Sequence, residues 1–317
     1  MPIVRAVLGF SVTLGLLLAS AQSARAQPPE PAPQVLAPRG ETIGMERKRL
    51  VWDERWHRFR PIEYATTAVT GAGALYFLAV AKPPDHPKWQ GPILFDENVR
   101  DAVRVRSPQA LATWTKVGDA MNLAVVGQVI VLDGIVLPLA AGNPDLAFQL
   151  TLMNTQVFAA SGLVLAGLYT TTGRARPSYG ECVAKTSNDP QCGSGSFTDF
   201  PSGHAGTAFA AAGIACATHA HVPLYGGGGW DVAACVETLM LATGSGMIRV
   251  IADRHYTSDV LVGGGIGFLF GYGLPSLLHF GFGQRTVGTL VDRRDFKLGV
   301  APGVASGGVG AIAVGAF

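Results

Sequence analysis

At 317 residues the chain has room for one large domain or two small ones. Its residues are 48% hydrophobic and 15% charged, against about 25% charged in an average soluble protein, and the mean hydropathy is +0.30. That excludes an ordinary polar globule in favour of a membrane protein or a helical protein with an unusually apolar interior, and a net charge of +2 leaves no footprint for nucleic acid.

In chain order, Arg5 precedes an apolar run over 6–18, and Ala24-Arg25-Ala26 offers a small-x-small cleavage site. Residues 1–26 are therefore predicted to be an export signal peptide. Residues 27–62 form a flexible N-terminal segment, rich in proline and glutamine up to 42. The part from 43 to 62 carries Arg47, Trp52, Trp56 and Arg58. It fits either a surface helix on anionic lipid or an amphipathic stretch packing its tryptophans on the domain.

A helix is expected over 63–81, ended by Pro83 and Pro84. Residues 82–107 read as a loop or a short amphipathic helix. Apolar segments follow at 120–141, where Asp133 is the single charge, and at 146–172, 205–220, 231–251 and 256–280. Glycine-rich 226–229 breaks the chain. Forty-one glycines and many alanines favour close helix packing. The fold expected is all-α, a six-helix bundle over 63–285. The tail 286–317 reads as a small β-hairpin turning at Ser306-Gly307-Gly308.

Three polar stretches interrupt the apolar pattern. Arg174-Ala175-Arg176-Pro177 follows the 146–172 helix. Such arginines either complement the helix dipole in solvent or, as Pro177 turns the chain, aim Arg176 into a cleft. In Phe200-Pro201-Ser202-Gly203-His204, Ser202 can cap a helix and Gly203 lets backbone approach a ligand, which makes an anion site. His204 then stands ready to protonate a leaving oxygen. In the third stretch Arg249 can hold a phosphate, His255 attack it and Asp259 orient the attacker. The last two, four apart, would share a helix face.

Elsewhere, Cys182 and Cys192 flank a loop that a disulfide would close, while Cys216 and Cys235, within helices, read as plain buried thiols or as a second bridge. His219 and His221 read as helix-end caps, and Asp253 and Arg254 as residues shaping the loop before His255.

Taken together, the three stretches resemble the motifs of the type 2 phosphatidic acid phosphatase superfamily, which also contains bacterial acid phosphatases and vanadium haloperoxidases. That family carries a lysine, six residues, then Arg-Pro; next Pro-Ser-Gly-His; then Ser-Arg, five residues, His, three residues, Asp. Arg176-Pro177, Pro201-Ser202-Gly203-His204, and Arg249 with His255 and Asp259 match in order and internal spacing. The likeness covers roughly residues 63 to 280. Two positions depart: the lysine falls on Tyr169 and the serine before Arg249 on Ile248. Arg174, one turn along, or Lys185 is the candidate replacement for the lost charge.

The resemblance implies a bundle of the acid phosphatase and haloperoxidase type and a metal-independent phosphatase acting on phosphomonoesters or lipid (pyro)phosphates. His255 would form a phosphohistidine, steadied by Asp259. His204 would protonate the leaving group and then activate water. Arg176, Arg249, Ser202 and Gly203 would hold the phosphate oxygens. No cofactor is implied, except vanadate in the haloperoxidase alternative; a non-catalytic membrane or binding module is the third reading. Partners are a phosphorylated small molecule or lipid phosphate, with membrane association and no nucleic acid. A cleaved signal followed by three crossings would put Arg176 on the cytoplasmic side, whereas family members acting on exported lipid phosphates work outside. The expectation is therefore an exported, periplasmic or membrane-associated domain.

Overall fold

The computed structural model describes residues 50–184 and 197–281 with their side chains, and every regular element among them is a helix. There are eight: α1 (Pro61–Ala79), α2 (Asp96–Val103), α3 (Pro108–Ala140), α4 (Pro144–Thr172), α5 (Tyr179–Val183), α6 (Gly203–His221), α7 (Gly229–Ile251) and α8 (Thr257–Phe280). Six are long, as expected; α2 is the short helix that was one of the two readings of 82–107, and α5 is the addition. The expected signal peptide, Lys185 and Cys192 lie outside the described residues. For the hairpin expected at 286–317 there is only a backbone trace of strands Lys297–Ala305 and Gly308–Ala316. The side-chain packing that would support it as part of the fold is not among the described residues.

Local chemistry sets the helix ends. Ser107 accepts the Ala110 N–H at 3.2 Å, with Pro108 at the first helical position, so α3 starts twelve residues before the apolar run that predicted it. Its 128–136 segment is wound as a π-helix. Asn143 caps α4 by accepting from Leu146 at 2.9 Å. Gly173, at φ +65°, ends that helix in the left-handed conformation glycine allows.

Alanine-rich α6 is the axis of the bundle, with fourteen of its nineteen residues buried. α8 lies directly on it, because glycines recur every four residues along its inner face. A Cβ at Gly263, Gly267 or Gly271 would stand 2.3, 2.0 or 2.2 Å from the carbonyl oxygen of Ser202, Gly206 or Ala210. The two backbones touch with no side chain between them. Nearer the C-terminal end of α6, Cys216 forms a disulfide with Cys235 of α7, with Cα atoms 4.4 Å apart. Of their two readings, the second bridge is the one realised, because each sits where the two helices face one another. Cys182 is also disulfide-bonded.

Residues 50–60 form no helix. Trp52 and Trp56 are buried against Phe280, with ring centroids 5.8 and 5.1 Å away. Of the two readings of this stretch, packing on the domain is the one realised. His221 caps the last turn as expected, its Nδ1 2.8 Å from the Ala217 carbonyl, and stacks on Phe280 at 4.4 Å; His219 is instead clamped between two carboxylates.

Four helices, α3, α4, α7 and α8, are long and apolar enough to cross a membrane. Their outward faces carry large apolar side chains in the open, among them Leu123, Trp230, Met240 and Leu269, each at least 60% exposed. Helices of this length with apolar side chains in the open suggest a membrane protein.

Candidate active site

The polar ends of α6, α7 and α8 meet the segment after α4, and α2 braces them. Asp96, fully buried in the first turn of α2, accepts from the Ser258 N–H at 2.8 Å and the Ser258 hydroxyl at 2.7 Å. Arg100 holds both oxygens of Asp253, at 2.7 and 3.0 Å. Asp253 has φ +56°, a strained conformation for a residue with a side chain, and the Arg100 fork fixes it there. The 252–256 loop that carries His255 is thus pinned by a helix some 150 residues upstream. Charged residues in 82–107 were read only as a loop or short helix, so this bracing was missed.

His255 does not share a helix face with Asp259. α8 begins at Thr257, so His255 precedes it, and Asp259 occupies its first turn. One Asp259 oxygen accepts the Tyr256 N–H at 2.8 Å, and the other is bound by Arg174. The His255 Nδ1 instead lies 2.8 Å from the backbone carbonyl of Asp199 and 3.0 Å from its carboxylate. A carbonyl can only accept, so Nδ1 carries the proton and Nε2 is left bare. Burial first, then the charges of Arg176 and Arg249, push the imidazole pKa down to about 4, against the pull of Asp259. Neutral and unprotonated at Nε2, the ring keeps that lone pair unprotonated across the neutral range.

Asp199 was not anticipated, and nothing in its local sequence marks it. It is fully buried, with one carboxylate oxygen 3.0 Å from the His255 Nδ1. Burial raises its pKa to about 7, while a hydrogen bond shared with Asp259 and the charges of Arg176 and Arg174 pull the other way. Two carboxyl groups this close retain a proton between them.

Across the site, His204 at the start of α6 is half-exposed, its Nε2 3.1 Å from Asp119 of α3. The same Asp119 oxygen binds the buried Arg249 guanidinium, whose Nε has no partner among the described residues. Burial and then the charges of Arg249 and His255 depress the His204 pKa to about 4. Two imidazoles and two guanidinium groups, those of Arg176 and Arg249, thus act within one electrostatic neighbourhood. Ser202 caps α6 by accepting from Ala205 at 3.4 Å, and its own N–H donates to the Asp259 carbonyl at 2.9 Å. Beside it, a Cβ on Gly203 would meet nothing within 4 Å, so that backbone is open to a ligand.

Arg174 does not serve as a spare phosphate ligand. Wholly buried between the Trp89 and Tyr256 rings, it binds Asp259, Asp96 at 3.0 Å, the Ser258 hydroxyl at 2.9 Å and the Gly91 carbonyl at 3.0 Å. Tyr169 stays half-buried in the last turns of α4.

Asp199, His255 and Asp259 each bring one donor atom within 4.8 Å of the others, the spacing of a metal-ligand set. Here, however, the Asp259 oxygens and the His255 Nδ1 are already committed to protein partners.

Residues 151–280 match the PAP2 superfamily. They form a PAP2 superfamily domain. No curated protein and no solved structure matches the chain. The match takes in every anticipated site residue and Asp199. Asp96, Arg100 and Asp119 fall before it, so α2 and α3 supply the PAP2 domain with charge partners from outside the matched segment. PAP2 membership suggests phosphatase-type activity on phosphate esters, and the apolar helices suit membrane association.

Proposed function

We propose that this chain is a metal-independent phosphatase of phosphomonoesters or lipid (pyro)phosphates, acting through a phosphohistidine on His255. The observation that carries the reading is the bare, neutral Nε2 of His255, held in that tautomer by the Asp199 carbonyl and flanked by the charges of Arg176 and Arg249. Nε2 attacks phosphorus in line as the bond to the leaving oxygen breaks. Asp259 and Asp199 offset the positive charge that then develops on the ring. Arg176, Arg249, Ser202 and the Gly203 N–H bind the equatorial oxygens, where transition-state charge spreads. A substrate's negative charges offset the cations that depress His204, restoring its proton for the departing alkoxide. The neutral imidazole then takes a proton from the water that hydrolyses the intermediate.

One observation favours a second reading, a catalytically impaired member that binds phosphate. Tyr169 replaces the family lysine, and Arg174 is occupied elsewhere. A single assay separates the two: wild type and His255→Ala are compared on p-nitrophenyl phosphate and on a lipid phosphate. Near-complete loss of turnover in the variant is expected. Equal turnover in both proteins would refute the nucleophile, and phosphate binding without turnover in the wild type would favour the impaired form.

A further inference from the structure

At the C-terminal end of α6, roughly 23 Å along its axis from His204, lies a second polar centre that takes no part in the reaction above. The His219 Nδ1 is 2.6 Å from Asp231 of α7, and its Nε2 is 3.4 Å from Asp133 in the π-wound segment of α3. An ionised carboxylate cannot donate, so each ring nitrogen must, and the imidazole is a cation between two anions. The other Asp133 oxygen accepts the Tyr225 hydroxyl at 2.9 Å, and Asp231 also accepts the Gly227 N–H at 2.6 Å. All three members of the triad are buried. The cluster has two carboxylates to one imidazole, an excess of negative charge offset only in part by the N-terminus of α7 and the Tyr225 and Gly227 N–H groups.

Asp133 also borders a cavity of about 10 Å³, enough for one water-sized guest. Asn154 of α4 and Thr218 of α6 line the same cavity. The Asn154 Nδ2 donates to the Val129 carbonyl at 3.1 Å, which fixes the amide and leaves Oδ1 as its free end. That Oδ1 and the Thr218 Oγ1 have no hydrogen-bond partner among the described residues, although each side chain belongs to a residue only 4% exposed. Buried polar atoms are rarely left so. Three helices thus bring a carboxylate, an amide oxygen and a hydroxyl to one small space.

We propose that this cavity binds a small monovalent cation of sodium's class, held by Asp133, the Asn154 Oδ1 and the Thr218 Oγ1. Hard oxygen donors suit such an ion. Its charge offsets the excess left by the triad, and the cavity's size disfavours a larger or hydrated ion. A single water would satisfy the two unpaired oxygens but leave the charge in place, and the two occupants respond differently to salt.

The test is thermal unfolding of the detergent-purified full chain in sodium, potassium or choline chloride at equal ionic strength. The midpoint should climb with the logarithm of sodium concentration, less steeply in potassium and not in choline. Thr218→Val keeps the shape and removes one oxygen, so it should flatten the sodium dependence several-fold. The proposal is overturned if the wild-type midpoint is the same in all three salts. It is also overturned if calcium or magnesium, and not sodium, raises it, or if Thr218→Val melts at or above wild type with its salt response intact. Should that variant fail to fold, the wild-type salt series alone decides.

Discussion

Gly267→Ala probes the contact on which the arrangement of the site rests. The added Cβ would lie 2.0 Å from the Gly206 carbonyl oxygen, 2.8 Å from its carbon and 2.9 Å from the Ala210 nitrogen. All three are main-chain atoms of α6 and cannot rotate away. An ordinary C–H···O contact needs about 3.3 Å, so α6 and α8 must part by roughly 1.3 Å. Overpacking of this kind costs about 1–3 kcal/mol, offset by no more than about 1 kcal/mol of helix propensity. For a chain of this size the melting temperature should fall by about 2–4 °C. The Ser202–Asp259 backbone bond joins the same two helices at 2.9 Å, so the shift reaches the site, where a displacement near 1 Å can cost about 100-fold in turnover. Gly265→Ala is the control: on the same helix, its Cβ meets nothing within 4 Å and should leave stability unchanged or slightly raised. The reasoning fails if Gly267→Ala melts within a degree of wild type, or if both variants lose stability equally.

Three further outcomes follow from the charges and the disulfide. Because His255 has its pKa held at about 4 instead of 6.5, kcat/KM should stay high down to pH 5 and fall with an apparent pKa near 4; an acid limb centred at 6.5 would contradict this. The same depression makes the folded chain bind fewer protons than the unfolded one, so its contribution to stability is lost as pH drops from 6.5 towards 4. Asp119→Asn removes an internal anion from Arg249 and His204. Exposed pairs are worth up to about 1 kcal/mol, so KM for a phosphate ester should fall by no more than about 5-fold with kcat little changed, and a rise in KM would count against it. Replacing both Cys216 and Cys235 by serine should cost about 3 kcal/mol, read as a lower melting temperature; an unshifted melt would show that the bridge adds nothing.

The apolar runs made the six long helices legible, because each is continuous over a helix length. The start of α3 was not, since its first dozen residues include Lys116 and Asp119 and do not look apolar. The three polar stretches could be read because each carries its own local device, such as the Ser202 cap and the fixed spacing from Arg249 to Asp259. Which acid meets which base was not legible. His255 and Asp259 look like partners four apart, yet the helix begins between them, and the Nδ1 proton goes to a carbonyl 56 positions upstream. Asp119 meets Arg249 across 130 residues. Pairings of that range arise from how α2 and α3 pack, and they leave no periodic trace in the chain.

The way the arginines are paired separates those free to hold a ligand from those that are not. Arg174 and Arg100 are each gripped by buried carboxylates, and breaking such a pair leaves an uncompensated buried charge at a cost of about 3–5 kcal/mol. Arg174 therefore cannot be released to replace the charge missing at Tyr169. Arg249 is different: its partner, Asp119, is half-exposed and can turn into water when a better anion arrives. On the proposed reading, binding at this site is an exchange, in which a phosphate takes from Asp119 the guanidinium and the imidazole that it bridges. An exchange of this kind keeps Arg249 paired in the unliganded protein, and it makes phosphate affinity depend on an acidic residue that lies outside the matched PAP2 segment.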